Sequence, residues 1–135
     1  MKRELIADDE PIERMIVSRT VEKYFSEELT VVSAANGREA VEQFFAGDCQ
    51  IALLDIEMPG MNGLEAAEQI RKRDKNCSII FLTAFDEFNY ARRAIAVRAM
   101  EYLLKPVEDQ ELVAVLEEAV RIAEEQETDR EAGDK

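Results

Sequence analysis

The sequence of 135 residues contains no histidine and no tryptophan, and it has only two cysteines, three prolines and five glycines. The lack of histidine excludes a metal site built on imidazole and a catalytic triad of the Ser-His-Asp type. Cys49 and Cys77 do not have the spacing of a metal-binding motif, so we interpret them as free thiols in a reducing, cytoplasmic compartment. Any metal bound by this chain must therefore be held by oxygen ligands.

Long apolar segments and a surplus of positive charge are also missing. No run approaches the ~18 apolar residues that cross a bilayer, and the N-terminus lacks the apolar region of a signal peptide, so we expect no membrane insertion. The formal net charge is −13, from 30 acidic and 17 basic side chains. Because such a surface repels phosphate backbones, we expect that this domain does not itself bind DNA or RNA.

Short apolar runs alternate with longer amphipathic segments along the chain. The short runs predict strands at Glu4–Ala7, Leu29–Ala34, Ile51–Asp55, Ser78–Thr83 and Met100–Leu104. The longer segments predict helices at Glu10–Phe25, Gly37–Gly47, Gly63–Asp74, Glu87–Val97 and Asp109–Glu127. Five strand–helix units in succession require parallel pairing through right-handed crossovers. We therefore predict a flavodoxin-like (βα)5 fold of the α/β class, with a doubly wound parallel sheet of strand order 2-1-3-4-5.

The predicted elements fit one domain, which we place at residues 1–125. The last stretch, "ETDREAGDK", is polar and has no apolar stripe. We interpret residues 126–135 as a polar tail, either a frayed helix end or the start of a linker.

Chemically active side chains follow four of the predicted strands. Asp8 and Asp9 follow the first strand, Asp55 ends the third, Thr83 ends the fourth, and Lys105 follows the fifth. Since ligands bind at the carboxyl ends of the strands in such sheets, these side chains are expected to converge. Carboxylates this close together raise one another's proton affinity or require a cation, and Mg²⁺ is the cation that fits the oxygen ligands. The set predicts a phosphoryl site in which the Asp55 carboxylate is the nucleophile.

Each residue also has a plainer interpretation. Asp8 and Asp9 are suited to capping the helix that begins near Pro11, and Asp55 could be an ordinary loop residue. Thr83 taken alone favours a structural role, and most lysines are simply solvated. It is the convergence of four strand ends that favours the functional interpretation.

Four motifs, in order and with ordinary spacing, carry a resemblance to a known family: "IADDE", "LLDIEMPGMNGLEAAEQIR", "IIFLTAF" and "YLLKPV". Together they resemble the receiver domain of bacterial two-component response regulators, over residues 2–125. The stretches "LTAFDEFNYARRAI" and "EYLLKPV" are most similar to receivers joined to an AraC-type helix-turn-helix domain. One departure is Arg98, where such receivers commonly carry glycine. If that position needs a positive φ, arginine would be strained there and the loop would differ in shape.

The resemblance assigns a role to each residue of the predicted site. It implies that Asp8 and Asp9 hold Mg²⁺, Asp9 most directly. Asp55 matches the phosphoacceptor, which also faces the metal. Glu57 lies where the backbone carbonyl completes the metal shell.

The resemblance also implies which residues form a conformational switch. Thr83 matches the hydroxyl that turns toward the phosphoryl group, and Lys105 matches the lysine that contacts it. The Lys105–Pro106 bond matches a cis peptide bond, and Tyr102 matches an aromatic side chain that moves between exposed and buried rotamers. Phe85, two residues after Thr83, either covers the site against water or is simple packing.

The resemblance further implies partners. A sensor histidine kinase would donate the phosphoryl group. The face formed by the fourth helix, fifth strand and fifth helix would change shape and could pair with a second copy. The output would be transcription regulation by a DNA-binding domain that is not in this chain. The chain is then a self-phosphorylating and self-dephosphorylating acceptor rather than a turnover enzyme.

Two alternatives remain open from the sequence. A Mg²⁺-dependent phosphatase of the haloacid dehalogenase type also uses an aspartate at a strand end, but it needs a second aspartate where this chain has Glu57. A degenerate receiver that serves only as a binding module is the other, although the full set of predicted site residues argues against it.

Overall fold

The structure is a computed structural model, and it describes the backbone of residues 1–133 and the side chains of residues 1–128. The strands are β1 Lys2–Ala7, β2 Leu29–Ala34, β3 Ile51–Leu54, β4 Ser78–Thr83 and β5 Glu101–Leu104. The helices are α1 Pro11–Phe25, α2 Gly37–Ala46, α3 Gly63–Arg73, α4 Phe88–Ala96 and α5 Asp109–Gly133. The predicted alternation is confirmed, although β1 begins earlier than expected and Asp55 lies just beyond β3.

The strands form one parallel sheet in the order β2-β1-β3-β4-β5, which confirms the predicted topology. In the register, Leu54 of β3 lies opposite Ala7 of β1 and Phe81 of β4. The strands therefore end nearly side by side. The residues that follow β1 and β3 are placed at the same edge of the sheet.

Apolar side chains cover both faces of the sheet, as the continuous apolar runs of β3 and β4 predict. One core cluster includes Leu5, Leu54 and Phe81 with the buried faces of α2 and α3. The other includes Ile6 and Leu53 with the buried faces of α1 and α5. Neighbouring residues of a strand point to opposite faces, so each strand serves both clusters.

Helix α5 is longer than predicted, since it continues through Gly133 and includes most of the expected tail. Gln126 donates a hydrogen bond to the carbonyl of Asn76 (2.9 Å), and Lys2 forms an ion pair with Glu127. These contacts hold the helix on the rim of the sheet beyond residue 125. Residues 134 and 135 of the expected tail lie outside the described residues. Within residues 1–133, no helix has the length and apolar character needed to cross a bilayer.

The loop before β5 keeps a positive φ at Arg98, of 57°. The Arg98 N–H donates to Ile95 O (2.9 Å) and the Ala99 N–H to Ala94 O (3.0 Å), which is a Schellman cap of α4. Arginine here is less favourable than glycine by about 1 kcal/mol. Arg71 supports the loop, because its guanidinium donates to the carbonyls of Val97 (2.8 Å) and Arg98 (3.2 Å). The expected strain is therefore present, and the loop accommodates it.

Candidate functional site

The ends of β1 and β3 bring Asp8 and Asp55 together through backbone hydrogen bonds. The Asp55 N–H donates to Ala7 O (2.9 Å), and the Asp8 N–H donates to Ala34 O (3.1 Å). Both aspartates are buried, at 5% and 8% residue exposure. Because the backbone that precedes each side chain belongs to the sheet, the two carboxylates are held in fixed positions.

The loop after Asp55 is held against the start of α3 by Gly63. A Cβ atom at Gly63 would lie 2.0 Å from Asp55 O, so no larger residue fits without moving the segment that carries Asp55. The Gly63 N–H donates to Ile56 O (2.8 Å), and Asn62 caps α3 in a capping box with Glu65. Gly60 supplies a positive φ of 71° in the same loop. The sequence "EMPGMNG" thus fixes the backbone next to the carboxylate.

Three aspartates form a cluster of oxygen ligands. Asp8, Asp9 and Asp55 each offer a carboxylate oxygen, and these atoms lie within 4.8 Å of one another. The plainer interpretation, that Asp8 or Asp9 caps α1, is wrong, because the N-cap of α1 is Glu10 and no side chain caps it. Asp8 Oδ1 instead accepts the Glu10 N–H (3.0 Å). The donor set of the three aspartates fits a hard divalent cation such as Mg²⁺.

The Lys105 ammonium reaches into this acidic cluster. Its Nζ atom lies 2.9 Å from Asp8 Oδ2, 3.2 Å from Asp55 Oδ2 and 2.6 Å from Glu13 Oε2. Burial alone would lower the pKa of this ammonium, but the bonds to Glu13 and Asp8 and the charge of Asp55 raise it above its ordinary value. Lys105 is therefore a fixed positive charge at the site. The peptide bond between Lys105 and Pro106 is cis.

Burial also raises the pKa of the Asp55 carboxyl, to about 6. The charge of Asp8 adds to this shift, whereas the charge of Lys105 and the N–H groups around Asp55 oppose it. One of these is the Glu57 N–H, which donates to Asp55 Oδ1 (3.3 Å). The carboxylate is thus partly desolvated yet compensated, a condition that suits a nucleophile.

Thr83 and Tyr102 are connected through the backbone of Phe85. The Phe85 N–H donates to Thr83 Oγ1 (3.3 Å), and the Tyr102 hydroxyl donates to Phe85 O (2.6 Å). Thr83 is fully buried at the end of β4, and within the described residues it makes no hydrogen bond to Asp55. The structure therefore brings Thr83 to the edge of the site without a direct bond to the acidic cluster.

The side chain of Glu57 points away from Asp55 and accepts a hydrogen bond from the Tyr90 hydroxyl of α4. This bond to the Glu57 carboxylate, with a smaller contribution from burial, raises the pKa of Tyr90 to about 12. Of the residues predicted for the site, Asp8, Asp9, Asp55 and Lys105 are thus brought together. Glu57 donates its backbone N–H to Asp55, while its side chain contacts α4.

Sequence reasoning missed Glu13, whose carboxylate is the nearest of the three that pair with the Lys105 ammonium. It lies in the first turn of α1, and helical side chains point back toward the helix N-terminus. An acidic residue in the first turn of a helix that starts at the site was the available signal.

Comparison with known proteins agrees with this geometry. The profile of the family described as "Response regulator receiver domain" matches residues 5–117. The "Positive alginate biosynthesis regulatory protein" of Pseudomonas aeruginosa is 40% identical over 87% of this chain and 46% of its own length. The "Chemotaxis protein CheY" of Thermotoga maritima is 36% identical over 85% of this chain and 94% of its own length.

A solved structure is similar as well. The response regulator TrrA from Thermotoga maritima, in complex with Mg²⁺ and BeF, has a TM-score of 0.76 and 39% identity, covering 88% of this chain and 99% of the other. The chain spans less than half the length of the first curated relatives that it matches, between 33% and 46%.

Proposed function

Because this chain belongs to the response regulator receiver domain family, we propose that Asp55 accepts a phosphoryl group in a two-component signalling pathway. The observation that carries the proposal is the surroundings of Asp55. Its carboxylate is buried at the end of a central strand, with the Lys105 ammonium 3.2 Å away. A compensated carboxylate in a fixed position suits attack on phosphorus.

In the proposed reaction, a carboxylate oxygen of Asp55 attacks the phosphorus atom of a phosphohistidine on a sensor histidine kinase, or of a small phosphodonor. The new bond is an O–P bond of an acyl phosphate, and the bond that breaks joins phosphorus to the donor. The electron pair of the broken bond stays with the donor, which takes up a proton. The domain is then a stoichiometric acceptor rather than a turnover enzyme.

The acidic cluster supports Mg²⁺ as the cofactor. Asp8, Asp9 and Asp55 would hold the ion with the backbone carbonyl of Glu57, because all of these are oxygen ligands at one edge of the sheet. When bound, Mg²⁺ supplies positive charge that offsets the negative charge of the transferred group.

Lys105 and Thr83 would stabilise the product. The Lys105 ammonium already donates to Asp55, and it could redirect an N–H group from a carboxylate to a phosphoryl oxygen. Thr83 Oγ1 accepts a bond from the Phe85 N–H, so its own proton remains available as a donor. A move of Thr83 toward the phosphoryl group would leave space into which Tyr102 could turn. Phosphorylation would thus shift the equilibrium between two conformations of the domain that are both populated beforehand.

Two exposed apolar surfaces support the proposed partners. One consists of Ile12, Met15 and Ile16 on α1. Beside it lies a groove of about 420 Å³ whose lining includes Pro106 and Val107. We assign this surface, next to the site, to the histidine kinase. The groove and the exposed side chains would accept apolar residues of the phosphodonor protein.

The second surface is on α4 and β5, where Phe88, Ile95 and Leu104 are exposed. We assign it to the face of α4, β5 and α5 that would pair with a second copy when Asp55 is phosphorylated.

The output would be regulation of transcription by a DNA-binding domain of the AraC type. The relative of Pseudomonas aeruginosa is by its name a regulatory protein. We propose the cytoplasm as the location, because Cys49 and Cys77 are buried free thiols.

Phosphodonor labelling with Mg²⁺ tests the proposal. The wild type should gain one phosphoryl group by intact mass, and Asp55→Ala should gain none. Asp86→Asn removes an exposed aspartate near the same edge and should label like the wild type. Omission of Mg²⁺ should prevent labelling.

Two other results would contradict the proposal. Sustained release of many phosphates per chain would indicate a phosphatase of the dehalogenase type. Absence of labelling in every condition would indicate a degenerate receiver that acts as a binding module.

A further inference from the structure

The Lys105 ammonium is shared among carboxylates that are not equivalent. Glu13 Oε2 lies nearest (2.6 Å), before Asp8 Oδ2 (2.9 Å) and Asp55 Oδ2 (3.2 Å). The Glu13 side chain is 37% exposed, whereas those of Asp8 and Asp55 are 6% and 10% exposed. Glu13 is therefore the outermost partner of the lysine, and it sits on a helix rather than at a strand end.

We propose that Glu13 is a positioning residue that competes with the phosphoryl group for Lys105 and so weakens the phosphorylated state. The inference rests on the proposed function, because it takes Asp55 as the acceptor and Lys105 as the contact to the phosphoryl oxygens.

The competition follows from the number of donors. An ammonium has three N–H groups, and two of them already donate to Asp8 and Asp55 while Glu13 lies closest of all. A phosphoryl group on Asp55 therefore needs a donor that is now directed at a carboxylate. Glu13 is the contact that is released most easily, since its carboxylate regains water at the rim. The buried aspartates would not regain water in this way.

The negative charge of Glu13 also disfavours the phosphorylated state. Glu13 adds a negative charge beside the three aspartates, and the phosphoryl group brings further negative charge to the same place. Removal of the Glu13 charge should thus favour phosphoryl binding both by freeing Lys105 and by reducing repulsion. The two contributions differ in one respect: the first requires contact between Glu13 and Lys105, whereas the second does not.

Binding of beryllofluoride, a phosphoryl mimic, at saturating Mg²⁺ tests the inference, with the apparent dissociation constant followed by amide NMR. Glu13→Gln keeps the shape of the side chain and should bind about threefold more tightly than the wild type, the size expected for a rim ion pair. Glu10→Gln is the matched control, because Glu10 is an exposed neighbour whose carboxylate does not contact Lys105. It should change the affinity much less.

Glu13→Asp separates contact from charge, since its side chain keeps the charge but is shorter by one methylene. Positioning through contact predicts that Glu13→Asp binds more tightly than the wild type but less tightly than Glu13→Gln, because it loses the contact and keeps the charge; the unfolding midpoint should be unchanged in both. The inference is overturned if Glu13→Gln binds no more tightly than Glu10→Gln, or if Glu13→Asp behaves like the wild type. If the wild type binds no beryllofluoride at all, the proposed function itself fails. Wild-type binding with no difference among the variants refutes this inference alone.

Discussion

Glu4 and Asp55 are both buried acidic residues, one within a strand and the other directly after a strand, but their surroundings differ. Glu4 lies in β1 with 0% exposure, and neither of its carboxylate oxygens has a hydrogen-bond partner among the described residues. Asp55 has the Lys105 ammonium at 3.2 Å and the Glu57 N–H at 3.3 Å. Burial raises the pKa of Glu4 to about 8 and that of Asp55 only to about 6.

This difference in pKa shows that residues at the carboxyl edge of the sheet offset part of the effect of burial on an acid. A buried acid without partners is most stable as the neutral acid, which is a poor nucleophile. Asp55 is slightly more exposed than Glu4, and its partners at the strand ends, above all the Lys105 ammonium, further favour its ionised form near neutral pH. The sheet therefore holds one acid in its neutral form in the interior, and a second acid closer to its ionised form where the neighbouring strands end.

The largest expected effect concerns Glu4. The folded protein binds the Glu4 proton more tightly than the unfolded chain does, so the contribution of Glu4 to stability is greatest below the ordinary pKa of 4.5 and is lost as the pH rises toward about 8. The full loss is on the order of 5 kcal/mol. Glu4→Leu should remove this dependence and stabilise the domain at pH 9, as measured by urea unfolding across the pH range.

Glu22→Gln is the control for this prediction, because Glu22 is an exposed acid of α1. It should leave the pH dependence of the wild type intact. Equal slopes of stability against pH for the wild type and Glu4→Leu would show that Glu4 is compensated like Asp55, and the comparison would fail.

A smaller effect is expected when the backbone that fixes Asp55 is disturbed. In Gly63→Ala, the added Cβ would meet Asp55 O at 2.0 Å, and we expect a loss of about 2 to 3 kcal/mol in the free energy of unfolding, as at overpacked sites. Phosphodonor labelling of Asp55 should slow as well, because Asp55 would move relative to Lys105.

Gly60→Ala is the matched control in the same loop. Gly60 has open space around its Cβ position but a φ of +71°, so the variant should lose only about 1 kcal/mol. If both variants labelled like the wild type, the fixed backbone would not matter for the reactivity of Asp55.

The smallest effect is on the proton affinity of Asp55 itself. Lys105→Met removes its cationic partner and should raise the pKa of Asp55 by about one unit, toward the behaviour of Glu4. Carboxyl-carbon NMR titration of the metal-free protein would measure this directly. Lys75→Met, which removes an exposed lysine of the loop between α3 and β4, should leave the titration of Asp55 unchanged. An unchanged pKa in Lys105→Met would mean that Lys105 does not compensate Asp55.

Much of the fold follows from patterns of apolar residues. The runs at Ile51–Leu54 and 79–82 are apolar at every position, which identifies strands buried on both faces, and the alternation with helices then determines the parallel order. The convergence of Asp8, Asp55 and Lys105 follows from that order, because each lies just after a strand.

The remaining features depend on tertiary surroundings that local patterns do not contain. Glu4 begins the predicted run "ELIA", where a polar first residue is ordinarily at the surface, yet β1 starts at Lys2 and Glu4 lies in its buried part, between β2 and β3. Glu13 looks like any surface acid until the start of α1 is set against Lys105. Arg98 adopts a positive φ because the Schellman bonds and Arg71 together outweigh its local preference.

The peptide backbone at Phe85 has a consequence for how a signal would leave the site. Its N–H is bonded to Thr83 and its carbonyl to Tyr102, on opposite sides of the same residue. A displacement of Thr83 or of Tyr102 breaks or strains its hydrogen bond to the Phe85 backbone. The two side chains would therefore move together, whatever side chain occupies position 85. Proline, which has no N–H, is the exception: it would uncouple the hydroxyl of Thr83 from the ring of Tyr102.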